Sequence, residues 1–387
     1  MGTKVAIVNV KDHGSIQAAI VVGIKLVEDS FNFNLSECKN ILLKPNLLRA
    51  TKDACTQPEF VDGILAYLKE KKIPKENINI GDSPGQIKTF ATTIAKKVGI
   101  YDIVEQEGIN FIDFEREVPV EVKIEGALRF KNCYISKPVI DCDLLIDLPR
   151  LKTHGEATIT GAIKNYWGII PGGLKAKTHL LGKTAEQFGE VLADNYSWVV
   201  KNKPNRLIVY DLHTIMQGPM GPVSGRMKKW NLVLVGTDEL ALDTVALEIG
   251  KFKGLQYVPH LKSAYERGLG IGDLEKIQIV GVSLEEAKKM TPKFKVPGRS
   301  MTKLATSITG GIVYRVTKRI PTIIKEVCAQ CGQCSEVCPA GAIEFEKNQY
   351  PKFNREICIS CLCCMEICPQ QAIKAKKRGF FGLFHKY

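Results

Sequence analysis

Short apolar runs recur through about residue 290, and each is followed by a stretch whose apolar positions return every three or four residues. KVAIVNV leads into SIQAAIVVGIKLVED, NILLKPN into PEFVDGILAYLKEKK, and NINIGDSPG into TFATTIAKKVG. Runs of this kind bounded by turn formers read as buried strands, and the 3.6-residue return reads as helix. Their alternation predicts an α/β fold with a mostly parallel sheet covered by helices on both faces. Further strands are expected at DLLIDLPR, RLIVYDL, NLVLVG and KIQIVG, and the VPVEVKIEGALRF region offers a hairpin.

The pattern then changes. Residues 291–325 are basic, carry three prolines and show no clear period, which predicts a connector after an α/β domain at 1–290. Residues 326–373 hold a repeat, CAQCGQCSEVCPAGAI from Cys328 and CISCLCCMEICPQQAI from Cys358. The tail 374–387, KAKKRGFFGLFHKY, mixes cations with phenylalanines. It reads either as a solubilising end or as a peripheral contact for an anionic membrane surface.

Both repeats follow C-x2-C-x2-C-x3-C-P, the four-iron pattern of bacterial ferredoxins. Soft thiolates suit iron, and in such tandem runs the fourth cysteine crosses to the other cluster. Cys328, Cys331, Cys334 and Cys368 are therefore expected on one [4Fe-4S] cluster, and Cys358, Cys361, Cys364 and Cys338 on the other, in a small ferredoxin-like α+β domain. A zinc site would imitate one CxxC pair but not the third cysteine, the C-P ending or the duplication. Cys363 falls outside the spacing and reads as packing, as do Cys38, Cys55, Cys133 and Cys142.

In the α/β part the strands end in polar chemistry. ILLKPN ends in Lys44 and Asn46, and INIGDSPG in Asp82 and Ser83. DLLIDLPRLKTH brings Arg150, Lys152 and His154, with Lys164 and Asn165 closing the same stretch. Lys175, Lys177 and His179 follow in the same idiom. RLIVYDLHTIMQGPMGP ends in Asp211 and His213, and GTDELALD carries Asp238 and Asp243. Ligands of open parallel sheets bind beyond the carboxyl ends of the strands, so these groups point to one shared anion pocket. Taken singly, Lys44, Lys152, Lys164 and Lys177 would be solvated surface groups. Asp211, Asp238 and Asp243 would cap helices, while Asp82, Asp211 or Asp243 would offer a magnesium ion carboxylate ligands.

Composition adjusts this picture only slightly. In 387 residues, 45% hydrophobic and 25% charged, there is material for more than one core. The net charge of +13 includes none of the thiolates; two oxidised clusters would remove about four charges and leave a basic protein. Basic groups are not gathered on a motif with interleaved aromatics, which argues against nucleic acid. The N-terminal residues lack an apolar signal core, no apolar run is long enough to span a membrane, and the cysteines have metal spacing. A reducing cytoplasm is the expectation.

At KPNLL, GDSPG, LPRLKTHGEATITGAIKNYWG, DLHTIMQGPMGP and GTDELALDTVA the chain resembles the family catalogued as domain of unknown function 362, over about residues 5–280 together with the cysteine repeats. Members often carry a C-terminal pair of four-iron ferredoxin motifs and are labelled iron–sulfur centre proteins. The resemblance implies the two-part architecture and names no substrate. The functional expectation is an oxidoreductase that moves electrons between two clusters and an anionic small molecule. Lys44, Asn46, Asp82, Ser83, Arg150, Lys164 and Asn165 would bind it, with Lys152 and His154 catalytic. A carrier or adaptor exchanging electrons with a ferredoxin or flavoprotein is the alternative, as is a metalloprotein maturation factor handing on metal through thiols such as Cys55 or Cys363.

Overall fold

The computed structural model describes residues 3–85, 89–182, 184–218, 221–296 and 319–377. In chain order the strands begin with β1 (Thr3–Asn9), β2 (Ile41–Pro45), β3 (Ile78–Asp82) and β4 (Asn110–Asp113), followed by β5 (Pro119–Lys123) and β6 (Asn132–Ser136). Then come β7 (Leu144–Leu148), β8 (Arg150–His154), β9 (Thr158–Thr160), β10 (Arg206–Gln217), β11 (Arg226–Gly236) and β12 (Ile277–Gly281). The central sheet runs β12-β1-β11-β10-β7-β2-β3-β4, with β8 paired to β10 and β9 to β8. Along that path only β11 is antiparallel to its neighbours, so the expected α/β fold and mostly parallel sheet are what the chain forms. The hairpin expected near residue 120 exists as β5 and β6, in a sheet of its own.

Alternation along each strand builds two cores. Ala6, Val8, Ile41, Leu43, Leu144, Ile146, Val233 and Val235 face one core, with Ile20 and Ile24 of helix Ile16–Val27 and Phe60 and Ile64 of helix Pro58–Glu70. Val5, Ile7, Leu42, Leu145, Leu232 and Leu234 face the other, with Tyr196 and Val199 of helix Ala185–Asn202 and Leu242 and Val245 of helix Glu239–Ile249. Being covered on both faces is why these strands read as nearly continuous apolar runs. Ser15 starts the first helix by accepting from the Ala18 amide.

One expectation is corrected here. DLLIDLPR followed by a polar loop is instead two strands, β7 and β8, broken at Pro149, and all five residues of β8 are buried. Proline has no N–H for the ladder. β7 lies between β2 and β10, whereas β8 leaves β2 and continues along β10, with Arg150 opposite Asp211 and Lys152 opposite Met216. The sheet splits at this point, between the chain following β2 and β8.

Helix Glu239–Ile249 fastens one edge of the split. Asp238 is its N-cap, accepting from the Ala241 amide as the sequence suggested, whereas Asp243 accepts from the amides of Ala162 and Ile163 and so caps helix Ala162–Asn165. Between them Glu239, fully buried, accepts from Tyr166 Oη at 2.6 Å, Tyr196 Oη at 2.8 Å and Arg206 Nε at 2.7 Å.

The cysteine module consists of β13 (Arg319–Ile323), β14 (Ile343–Glu344), β15 (Lys352–Phe353) and β16 (Ile373–Lys377), with short helices Gln333–Glu336 and Cys363–Ile367. β13 pairs with β16, so residues 319–323, assigned to the connector by sequence, form a strand of this module. The rest of the connector from 297 to 318 and the tail from 378 lie outside the described residues. Among the described residues, no helix is long and apolar enough to cross a membrane.

Removing Glu239 strands a buried guanidinium and two buried phenols, and loss of one partner from a buried ion pair typically costs about 3–5 kcal/mol. Glu239→Ala is accordingly expected to lower the urea-unfolding free energy by about that amount and to speed amide exchange at Ala162 and Ile163. An unchanged unfolding midpoint would contradict this role.

Candidate functional site

A cavity of about 60 Å³ occupies the split, lined by Asn46, Asp82, Ser83, Arg150, Lys152, His154, Lys164 and Asn165. Eight of the nine α/β residues singled out in the sequence thus meet in one place. The ninth, Lys44, lies just beneath them: it is fully buried, with Nζ 2.9 Å from Asp82 Oδ1. Lys44 and Lys152, which singly would be solvated, are 0% and 1% exposed, while Lys177 is at the surface. The backbone of YWG lies against the Lys44–Asp82 pair, because a Cβ on Gly168 would stand 2.3 Å from Asp82 Oδ1 and 2.7 Å from Lys44 Nζ.

The charged groups have different tasks. Arg150 is held by protein oxygens: Nε donates to the Thr214 carbonyl at 2.8 Å, Nη1 to those of Cys55 at 2.8 Å and Lys52 at 3.0 Å, and Asp211 Oδ2 stands 3.3 Å away. It is a clamp on the loop after β2 more than an open fork for ligand. Lys175 donates to the Ser83 carbonyl and hydroxyl and the Pro84 carbonyl, and burial pushes its pKa down to about 8. Lys152 donates to the Ala54 carbonyl at 2.7 Å and to Asn46 Oδ1, and burial lowers it to about 7. Asn46 in turn donates to Asn165 Oδ1, and Asn165 to the buried Asp147, a chain of amides that fixes the acceptor facing Lys152.

Lys164 differs. Burial lowers its pKa, but its ammonium has no hydrogen-bond or ion-pair partner among the described residues, and it lines the cavity. His154 is fixed in one tautomer. Its Nδ1 accepts from the amides of Glu156 and Ala157, both at 3.1 Å, so Nε2 carries the hydrogen and faces Glu366 Oε1 at 3.2 Å. Burial, then Lys164, lowers the His154 pKa and keeps the ring neutral.

Glu366 was not singled out in the sequence. It lies between Cys364 and Cys368 of the second repeat and lines the cavity from the cysteine module. Burial alone would raise its carboxyl, but the hydrogen bond from His154 and the charge of Lys164 hold it down, at about 2. Its counterpart in the first repeat, Glu336, is exposed, so no local pattern separates the two. Trp167, Gly85 and Pro222 also line the cavity and were likewise missed.

The carboxylates proposed for magnesium are engaged elsewhere. Asp82 accepts from the Leu47 amide and pairs with Lys44, Asp211 accepts from Gln57 and the His213 amide, and Asp243 caps a helix. Among the described residues no three His, Cys, Asp or Glu side chains converge on a single ion. A four-iron cluster does not need that convergence, since each thiolate meets a different iron.

The cysteines fit such a group. Cys328, Cys331, Cys334 and Cys368 line one cavity. Cys338 lies within electrostatic reach of Cys361 and Cys358, and Cys364 of all three. Backbone N–H groups donate to the sulfurs: Gln330 to Cys328 at 3.5 Å, and Ala342 to Cys338 and Ala372 to Cys368, both at 3.2 Å. The second and fourth positions after each leading cysteine are left-handed, with φ of 51° and 76° at Gln330 and Gly332 and 61° and 63° at Ser360 and Leu362. Non-glycine residues take up such strain where a winding loop must aim its amides inward. Cys363 is buried and its thiol donates to Cys361; Cys55 is also buried, so neither thiol is open to hand metal to another protein.

Residues 327–372 match the 4Fe-4S dicluster domain, and the chain accordingly has an iron–sulfur electron-transfer role. A thylakoid-associated protein of Synechocystis sp. is 31% identical over 247 residues, covering 62% of this chain and 71% of that protein. Two solved structures are similar at 15% identity: a Thermotoga maritima protein with TM-score 0.37 and a lactate racemase apoprotein from Thermoanaerobacterium thermosaccharolyticum with TM-score 0.40. They cover 53% and 61% of this chain, and the chain spans only 52% and 56% of theirs, a likeness that transfers no activity. The model of the family described as Domain of unknown function (DUF362) matches residues 41–248, more than half of the 387, and the chain belongs to that family.

Proposed function

We propose that the chain is an oxidoreductase that passes electrons between two [4Fe-4S] clusters in its cysteine module and an anionic small molecule held in the cavity at the sheet split. One observation carries this reading: Lys164, a half-buried cation whose ammonium has no hydrogen-bond partner among the described residues, shares its cavity with Glu366 from between two cluster cysteines. Cys328, Cys331, Cys334 and Cys368 would hold one cluster, and Cys338, Cys358, Cys361 and Cys364 the other; such clusters supply single electrons at low potential.

Around the ligand, Lys164 supplies the charge that attracts an anion, and Lys152 adds a second when protonated. Lys44, Asp82 and Ser83 shape the floor, and Asn46 and Asn165 orient Lys152. Proton delivery would fall to the His154–Glu366 pair, since the ring's only hydrogen is held against that carboxylate. The volume has room for roughly four or five water-sized groups, which favours a small oxyanion. A second reading, a carrier that exchanges electrons with a ferredoxin or flavoprotein, is favoured by one feature: Cys331 is exposed, which would bring one cluster close to the surface.

The first test is anaerobic. Clusters reduced stoichiometrically are mixed with pools of phosphorylated and carboxylated metabolites while cluster absorbance is followed. One pool is expected to reoxidise the wild type, with Lys164→Ala slower by about a hundredfold, the usual effect of losing one preorganised charge partner. If no pool acts while a flavoprotein drains wild type and variant equally fast, the carrier reading replaces this one.

The second test uses pH. A lysine held near 7 gains its proton as the pH falls through that value and loses it as the pH rises. Apparent affinity for the active anion is therefore expected to fall from about pH 6 to about pH 8, and Lys152→Met should flatten the profile. A wild-type profile that is already flat would remove Lys152 from the site.

A further inference from the structure

The loop after β2 places Leu47 and Leu48 in the cavity wall and sends Arg49 toward the cysteine module, where Nη2 lies 3.5 Å from the Pro369 carbonyl. Arg49 is 4% exposed. Its Nε and Nη1 are buried and have no hydrogen-bond partner among the described residues. The groups whose charge acts on it are the thiols of Cys368 and Cys55. A guanidinium does not give up its proton inside a protein, and a buried cation with unmatched N–H groups is costly unless something negative faces it.

What faces it is the cysteine module. Cys368 and Pro369 line the same cavity as Cys328, Cys331 and Cys334. A cluster on those four thiolates carries net negative charge that grows on reduction, and hydrogen bonds to its sulfurs are among the levers that set its potential. In the other cysteine set, His179 acts on Cys361 and is itself paired with Glu156 at 3.0 Å.

We propose that Arg49 is the counterion of the cluster held by Cys328, Cys331, Cys334 and Cys368, donating its free Nε and Nη1 hydrogens to that cluster's sulfurs and raising its reduction potential. The inference rests on the two-cluster reading of the module. It ties that cluster to the loop that forms the cavity wall. Arg49 acts on the redox group and does not touch the proposed anion.

The test is an EPR-monitored potentiometric titration of the full-length, reconstituted protein as wild type, Arg49→Gln and Arg49→Lys, with iron content measured on each. Cys331→Ser marks which spectrum belongs to the cluster in question. Arg49→Gln is expected to move that midpoint to a more negative potential and leave the other in place, with Arg49→Lys in between because it keeps the charge and loses the fork. Two unmoved midpoints, or equal shifts in both, overturn the proposal. If Arg49→Gln does not retain iron, Arg49→Lys decides alone by the same criterion. A wild type that binds less than two clusters' worth of iron defeats the two-cluster reading itself, an outcome separate from either shift.

Discussion

Pro149 is where the sheet stops being a simple stack of parallel strands, and the chemistry of this protein depends on that interruption. Up to Leu148 the strand β7 is an ordinary interior strand between β2 and β10. Past the proline, the chain stays with β10 and parts from β2, while the Pro149 carbonyl accepts from the Asp211 amide and keeps β10 in register. Segments far apart along the chain carry ionisable groups into the gap, among them Asp82, Lys152, Lys164, Lys175 and Glu366. Desolvation is the largest influence on Lys152, Lys164 and Lys175, which it lowers, and on Glu366, which it would raise without the groups close by.

Most of that charge is balanced inside the protein. Lys44 has Asp82, Arg150 has Asp211 and three carbonyls, and Lys175 has Ser83 and Pro84. These groups hold the walls at a fixed spacing. Lys164 is left over: half-buried at the cavity, it has no hydrogen-bond partner among the described residues and feels the charges of Glu366 and Glu156. The anchoring comes from the same core: Glu239 and Asp243, on the neighbouring helix Glu239–Ile249, fix Tyr166 and the start of helix Ala162–Asn165 and so aim Lys164.

The cysteine module is the lid of this site. Glu366 closes the cavity against His154, a Cβ on Gly155 would meet Leu362 Cδ1 at 2.8 Å, and Arg49 reaches the other way to Pro369. Polar groups cross this contact in both directions, Glu366 from the cysteine module and Arg49 from the α/β part.

The sequence by itself determined the strands, because burial on two faces leaves continuous apolar runs in KVAIVNV, ILLKP and DLLIDL, and it determined the cluster cysteines, because chain spacing alone sets how they wrap a metal group. It also brought out the polar strand ends that meet at the cavity, since strand ends in a parallel sheet share one edge. Only the tertiary structure decided what each polar group does. Arg150 and Lys164 look alike in LPRLKTHGEATITGAIKN, yet one is held by four oxygens from distant segments and the other is left open. Glu336 and Glu366 occupy the same place in two repeats, yet one meets water and the other His154. Local periodicity fixes which side of an element a residue faces; its partners come from segments far along the chain, and for a buried charge the partner decides its protonation and its role.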